Sequence, residues 1–252
     1  MLTERATTKF LGVEFANLGY EEVLVELDRL SRGDCFSYVV TPNVDHVVLL
    51  NEHEDEGIRK RFNDAYSAAA LRLCDSRILQ LLAKLRGIKL DVVTGSDLTA
   101  ILFEKGHLNG KKVAIIGGDE TMLPELRVRF PAIDLVQHIP PMGVLRNPKA
   151  ADEIVKFVAA SACNFVFFAI GAPQSEIVAE RCAEEGRSRG VGMCIGASVE
   201  FILERKARAP AWIQDAGFEW LFRLLSEPRR LWKRYLLKGP RIGLIVLRGS
   251  RT

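Results

Sequence analysis

The chain has no Cys-x-x-Cys pair, no His-Glu-x-x-His, no Asp-x-Asp and no Gly-x-Ser-x-Gly. Those absences remove the usual supports for a thiol redox centre, a zinc hydrolase, a metal-bound nucleotide sugar and a serine-nucleophile elbow. The four histidines are scattered, so no metal is expected, and charge on a leaving group falls to Arg, Lys or backbone amides. Five cysteines (Cys35, Cys74, Cys163, Cys182 and Cys194) are odd in number and widely spaced. They read as reduced core residues of a cytoplasmic protein, not as a disulfide framework. The longest apolar runs, such as Phe165 to Gly171 and Gly243 to Leu247, fall far short of the ~20 residues of a membrane span. Met1 to Phe10 carries Glu4, Arg5 and Lys9 with no apolar run behind them, which is not the pattern of a signal peptide. A dinucleotide fingerprint is also missing. The nearest match, Gly190-Val-Gly192-Met-Cys-Ile-Gly196, has the wrong spacing and runs into a strand.

What is present supports a soluble globular body: 252 residues with 48% hydrophobic content can bury one large core, with or without a small appendage. Short β-rich runs alternate with helical patterns. Strands are expected at Ser37–Thr41, Ala68–Cys74, Lys112–Ile116, Asp134–His138, Asn164–Ile170 and Gly192–Ile195. Helices are expected at Val44–Asn51, Ser76–Arg86, Ser96–Lys105, Thr121–Phe130, Pro148–Ser161 and Glu176–Arg189, with Asn147 and Pro148 forming a cap and first-turn pair. The acidic cluster His53-Glu54-Asp55-Glu56 sits beside a helix boundary and reads as solvated surface. This alternation predicts an α/β fold with a Rossmann-like, mainly parallel sheet and helices on both faces.

Charge divides the chain. Residues 205–252 hold twelve Lys/Arg against three Asp/Glu, a net of +9, so the overall +3 leaves −6 on residues 1–204. The division suggests an α/β body over 1–204 and a basic appendage over 205–252. Within the appendage, Phe218 to Leu237 includes two of the three tryptophans. At about 100° per residue, Leu231, Trp232, Tyr235 and Leu236 fill one arc, and Arg229, Arg230, Lys233 and Arg234 fill the next. That is an amphipathic basic helix suited to an anionic membrane surface. The alternative is a C-terminal helix packed on its own domain with its basic residues solvated.

Ligands of open α/β sheets bind beyond the carboxyl ends of the strands, and four such ends are chemically distinctive. Thr41-Pro42-Asn43 offers a hydroxyl and an amide, which either contact a ligand or cap the following helix. Cys74-Asp75-Ser76 offers a carboxylate with the same two options. Gly117-Gly118-Asp119 is a turn that lets backbone approach a ligand, although it is weak as a nucleotide motif. Gly171-Ala172-Pro173-Gln174-Ser175-Glu176 is a glycine turn opening a helix, where Glu176 is either a ligand partner or simply an acid favoured by a helix N-terminus.

The order of these segments carries a resemblance. Thr41-x-Asn43, Asp75, Val93-Thr94-Gly95-Ser96-Asp97-Leu98, Ile116-Gly117-Gly118 and Gly171-Ala172-Pro173 with Glu176 come in sequence. Arg208-Ala209-Pro210-x-Trp212, Gly217-Phe218-Glu219-Trp220-Leu221-Phe222-Arg223-Leu224 and Glu227-Pro228-Arg229-Arg230 follow. Together, over roughly Val40 to Leu237, the series resembles the WecG/TagA/CpsF family of bacterial glycosyltransferases. The resemblance implies inverting, metal-independent transfer of an N-acetylmannosamine-type or other hexose in surface or exopolysaccharide assembly. The donor would be a UDP-sugar and the acceptor a polyprenyl-diphosphate-linked sugar, met at the inner face of the cytoplasmic membrane.

By position, the resemblance implies that Asp75 is the general base, with Thr41 and Asn43 beside it at the donor sugar or acceptor. The turns at Gly117, Gly118, Gly171 and Pro173 would border the nucleotide, with Glu176 toward the uridine or ribose hydroxyls. Arg208, Arg223 and Arg230 would offset charge on the departing diphosphate, and Arg229, Trp232, Lys233, Arg234 and Tyr235 would meet the membrane. Self-association is compatible with the resemblance. Departures fall at Cys74 and Ser76 (Ala and Gly in the family), Ser175 (Gln), Pro141 to Val144 (a His-Gly-aromatic segment) and Glu200, and they leave the transferred hexose open. The alternative class is a non-catalytic membrane- or nucleic-acid-binding α/β protein. Segregation of the basic face beside an apolar one, on an acidic body, favours lipid over nucleic acid.

Overall fold

The structure is a computed structural model that describes residues 7–205, 210, 213, 219–226 and 241–248. A hairpin of β1 (Thr7–Phe10) and β2 (Val13–Ala16) precedes a six-stranded sheet. The sheet strands are β3 (Ser37–Val40), β4 (Leu71–Arg72), β5 (Lys112–Gly117), β6 (Asp134–His138), β7 (Phe165–Ala169) and β8 (Val191–Cys194). Their order is β4-β3-β8-β7-β5-β6, and every pairing is parallel. The helices are α1 (Tyr20–Ser31), α2 (Val44–Glu52), α3 (Glu56–Ala68), α4 (Arg77–Lys84), α5 (Gly95–Glu104) and α6 (Met122–Arg129). They continue as α7 (Pro148–Ser161), α8 (Gln174–Glu184), α9 (Ser198–Ile202), α10 (Glu219–Ser226) and α11 (Arg241–Arg248).

Alternation along each strand feeds two cores. Tyr38, Val40, Ala114, Ile116, Val166, Phe168 and Cys194 pack with residues of α2, α3, α7 and α8. Val39, Val113, Ile115, Phe165, Phe167, Val191 and Met193 pack with α1, α5, α6 and α9. Both faces of the sheet are therefore covered, and its strands read as continuous apolar runs, as a parallel sheet requires. Adjacent strands send their helices to opposite faces: α2 after β3 and α8 after β7 go one way, α9 after β8 and α6 after β5 the other. The strand ends are thereby left open as a crevice.

The expected α/β architecture is the one observed, with differences at element ends. The expected strand Ala68–Cys74 shrinks to Leu71–Arg72, because α3 runs to Ala68 and Cys74 makes only an isolated bridge to Val92. Helix α8 stops at Glu184, before the turn in which Gly186 N–H donates to Ala183 O. The hairpin was not anticipated. Arg72 fastens it over the sheet edge by donating to Glu14 O at 2.6 Å while also holding Ala69 O at 2.8 Å. Asp55 of the acidic cluster caps α3 by accepting from Ile58 N–H at 2.9 Å. At the C-terminal end, Ile242, Ile245 and Val246 of α11 are buried in the core with α2. The expected amphipathic arc over 229–236 lies outside the described residues.

Candidate active site at the carboxyl ends of the strands

At the end of β3, Thr41 is buried and its hydroxyl donates to Cys194 O at 3.0 Å, tying the ends of β3 and β8 together. Thr41 therefore does not cap α2. Asn43 does, accepting from Asp45 N–H at 3.0 Å. Gly95 packs on Thr41 so closely that a Cβ there would lie 3.2 Å from the hydroxyl oxygen. The turn before α5 is pinned in place by Tyr20, whose hydroxyl accepts from Thr94 N–H and donates to Asp97, each at 3.1 Å.

Asp75 follows Cys74 beyond β4, and its N–H donates to Pro42 O at 2.9 Å. The cap of α4 is Ser76, whose hydroxyl accepts from Leu79 N–H at 3.2 Å. The two options left open by spacing thus separate: the serine stabilises the helix and the neighbouring carboxylate does not take that role. Thr41, Pro42, Asp75 and Gly95 come together at one side of the crevice.

The other side is built by β5 and β7. Gly117 adopts φ +109°, and a Cβ on it would lie 2.9 Å from Ala169 O, so only glycine fits where the two strand ends meet. Gln137 donates to Gly117 O at 2.8 Å and to Asp119 O at 3.1 Å, fixing the Gly117-Gly118-Asp119 turn. Arg205, where the charge composition changes, reaches the same turn. It binds Asp119 through two bonds of 3.0 and 2.9 Å, and Glu125 through two more of 3.0 and 2.8 Å. Thr121 and then Arg205 hold the Asp119 carboxyl below its ordinary range. Strands β8 and β7 separate the Thr41 and Gly117 sides, a gap of about 14 Å at ~4.8 Å per strand.

Gly171 and Pro173 form the turn into α8, and Ser175 N–H donates to Gly171 O at 3.0 Å. Glu176 is only 1% exposed, and its Oε2 has no hydrogen-bond partner among the described residues. Burial pushes its carboxyl up to about 7. Its charge reaches Tyr66, raised first by burial and then by Glu176, and Cys194, raised in the same order. Tyr66 in turn pairs with His46 Nδ1 at 2.8 Å. Glu176 thus lies near the Tyr66–His46 pair, of which His46 is half-buried, and near Cys194, whose carbonyl holds the Thr41 hydroxyl. Residues 46 and 66 carried no sequence signal, because their pairing spans α2 and α3.

A pH effect follows from this burial. A folded value near 7 against an ordinary 4.5 means that the neutral acid is favoured in the native state. Stability is fully present below about 4.5 and is lost as pH rises to about 7, by up to roughly 3 kcal/mol. Glu180, also raised to about 7, adds to the slope of the wild type in the same window. Glu176→Gln is expected to gain on wild type as pH rises, read as urea midpoints at pH 5 and pH 8. Midpoints that move in parallel would contradict the burial account.

Arg208 and Arg230 lie outside the described residues, as do Arg229, Trp232, Lys233, Arg234 and Tyr235; Arg223 is on α10. Among the described residues no group of three or more His, Cys, Asp or Glu is placed to hold a metal ion. No described helix is long and apolar enough to cross a membrane. Of the five cysteines, Cys35 is exposed and four are buried, all of them free.

Comparison with protein families matches residues 8–252 to the Glycosyl transferase WecG/TagA/CpsF family. The match spans the hairpin, both sides of the crevice and the basic C-terminal segment. The chain therefore belongs to the WecG/TagA/CpsF family of glycosyltransferases, enzymes of cell-surface polysaccharide synthesis.

Proposed function

We propose that this protein is an inverting, metal-independent transferase. It moves a hexose from a UDP-sugar to a polyprenyl-diphosphate-linked sugar at the inner face of the cytoplasmic membrane. The observation that carries the reading is at Asp75: a carboxylate at the crevice, beside Thr41, whose neighbour Ser76 has taken over the capping role. A nucleotide sugar laid across the ends of β8 and β7 would put its sugar near Thr41 and Asp75 and its nucleotide near Gly117 and Gly171.

In that pose Asp75 accepts the proton of the acceptor hydroxyl as the oxygen attacks the anomeric carbon. The new oxygen–carbon bond forms on the face opposite the diphosphate. The old carbon–oxygen bond breaks with its electron pair leaving on UDP, and the configuration inverts. Arg208, Arg223 and Arg230 take the charge of the departing diphosphate, the part that a metal plays elsewhere. Asn43 is committed to the α2 cap, so it acts by shaping the Thr41–Asn43 turn. Glu176, enclosed behind that turn, serves as the inner wall below the ribose. The basic segment 229–235 meets the anionic surface on which the acceptor is presented.

Thermal unfolding with a ligand panel tests the donor. UDP and one UDP-sugar, with chelator present, are expected to raise stability by about 2.7 kcal/mol at a hundredfold excess over Kd. NAD and adenine nucleotides are expected to have no effect. Stabilisation by none of the uridine ligands, or only with added metal, would overturn the donor assignment.

A further inference from the structure

Away from the crevice, the surface of α4 departs from the usual rule that a helix turns polar residues outward. From Arg77 to Lys89 the chain carries Arg77, Lys84, Arg86 and Lys89 and no Asp or Glu. All four are exposed, with Lys89 paired to Asp91 at 3.5 Å. Leu79 and Ala83 turn inward and are fully buried, while Leu81 and Leu85 remain 57% and 74% exposed on the opposite side. At about 100° per residue the two exposed leucines share an arc with half-buried Ile78, and Arg77 and Lys84 lie directly beside it. Helix α11 continues the surface. Arg86 donates to Val246 O at 2.6 Å, joining the ends of the two helices, and Leu244 is 53% exposed while Ile242 and Ile245 hold α11 to the core.

We propose that the outer face of α4, extended by α11, is a docking surface for an anionic lipid bilayer. Exposed leucines beside Lys and Arg are the pattern of a helix that lies in the headgroup plane, with apolar side chains entering the acyl boundary and cations meeting lipid phosphates. Charge decides against a second copy of the chain as the occupant. A two-fold interface would set Arg77 and Lys84 against an equally basic face. The placement has a consequence for transfer. Ser76, the cap of α4, directly follows Asp75, so a bilayer-seated α4 holds the crevice at the level where a lipid diphosphate presents its sugar. The proposal rests on the reading that the acceptor is lipid-linked, and adds that the catalytic body meets the bilayer through a surface separate from residues 229–235.

The test is co-sedimentation of the full chain with phosphatidylcholine vesicles, with and without phosphatidylglycerol, in the absence of donor and acceptor. Wild type is expected to partition onto the anionic vesicles and to be released by salt. Lys84→Gln is expected to weaken partitioning about fivefold, from roughly 1 kcal/mol per basic residue. Leu81→Ser with Leu85→Ser is expected to weaken it at least tenfold with an unchanged melting midpoint, since neither leucine is buried. A third protein, with Arg229, Arg230, Lys233 and Arg234 changed to Ala, separates the two surfaces. If it loses binding while both α4 variants keep wild-type partitioning, this inference is overturned and the membrane reading stands. If wild type ignores both kinds of vesicle, both fall. Loss of a dimer in size-exclusion chromatography by the leucine variant, without change in vesicle binding, would assign the face to a second copy and overturn the lipid proposal.

Discussion

Asp75→Asn is expected to lower the transfer rate by roughly 10²- to 10⁴-fold, the range that a positioned general base supplies. Its melting midpoint and its stabilisation by UDP are expected to stay near wild type. The amide keeps the shape of the side chain but does not take up the acceptor proton. The fold does not depend on the carboxylate for the α4 cap, which Ser76 provides, nor for the tie to Pro42, which runs through the backbone N–H. Ser76→Ala is the informative contrast. It removes the cap and is expected to cost about 1 kcal/mol of stability while leaving Asp75 in place. A rate near wild type for Asp75→Asn would move the base elsewhere.

The largest loss of stability is expected at Gly190, far from the proposed chemistry. This buried residue opens β8 between β3 and β7 and adopts φ +84°. A Cβ would lie 2.4 Å from Cys163 O and 2.6 Å from Asn164 O. The peptide at Asn164 cannot move cheaply. Asn164 O accepts from Val191 N–H at 2.9 Å, the Asn164 side chain accepts from Lys112 N–H at 3.0 Å, and Gly190 O itself accepts from Ser37 N–H at 3.0 Å. Gly190→Ala therefore combines the left-handed backbone cost of about 1–2 kcal/mol with displacement of three paired strands. A total loss of roughly 3–5 kcal/mol is expected, a large share of the 5–15 kcal/mol that a typical domain has. Urea unfolding reads it directly, with Gly171→Ala as reference: its φ is also positive, but its Cβ would meet open space. Equal midpoints for the two variants would contradict the close-approach account.

Much of the architecture was legible because local and global signals agree. Asn147 before Pro148 announces α7, and the helix runs over the expected Pro148–Ser161, with Asn147 accepting from Ala150 N–H. Strand β6 occupies the expected Asp134–His138. The hairpin, α1 and α3 were missed. The hairpin's seat on the sheet depends on Arg72, 58 residues away from Glu14, and α3 begins inside a cluster that composition alone marks only as polar surface.

The candidate site was legible in its strand-end residues but not in their environment. Spacing could not tell whether Asp75 caps α4 or faces a ligand, since Asp is a good cap. It could not show that Glu176 is enclosed, because an exposed acid in the first turn of a helix would look the same in sequence. Nor could it show Arg205 reaching Asp119 across 86 residues, or the leucines of α4 turned outward, because an apolar residue on a helix is ordinarily taken for core.

Transfer itself is read by mass spectrometry, and the anomeric configuration of the product by NMR, after a polyprenyl-diphosphate-linked sugar is incubated with the enzyme, a panel of UDP-sugars and chelator. One donor is expected to add a single hexose to the acceptor with inverted configuration and release of UDP, and Asp75→Asn is expected to leave the acceptor unchanged. Acceptor mass unchanged with every UDP-sugar, or a product that Asp75→Asn forms as fast as wild type, would contradict the proposed transfer.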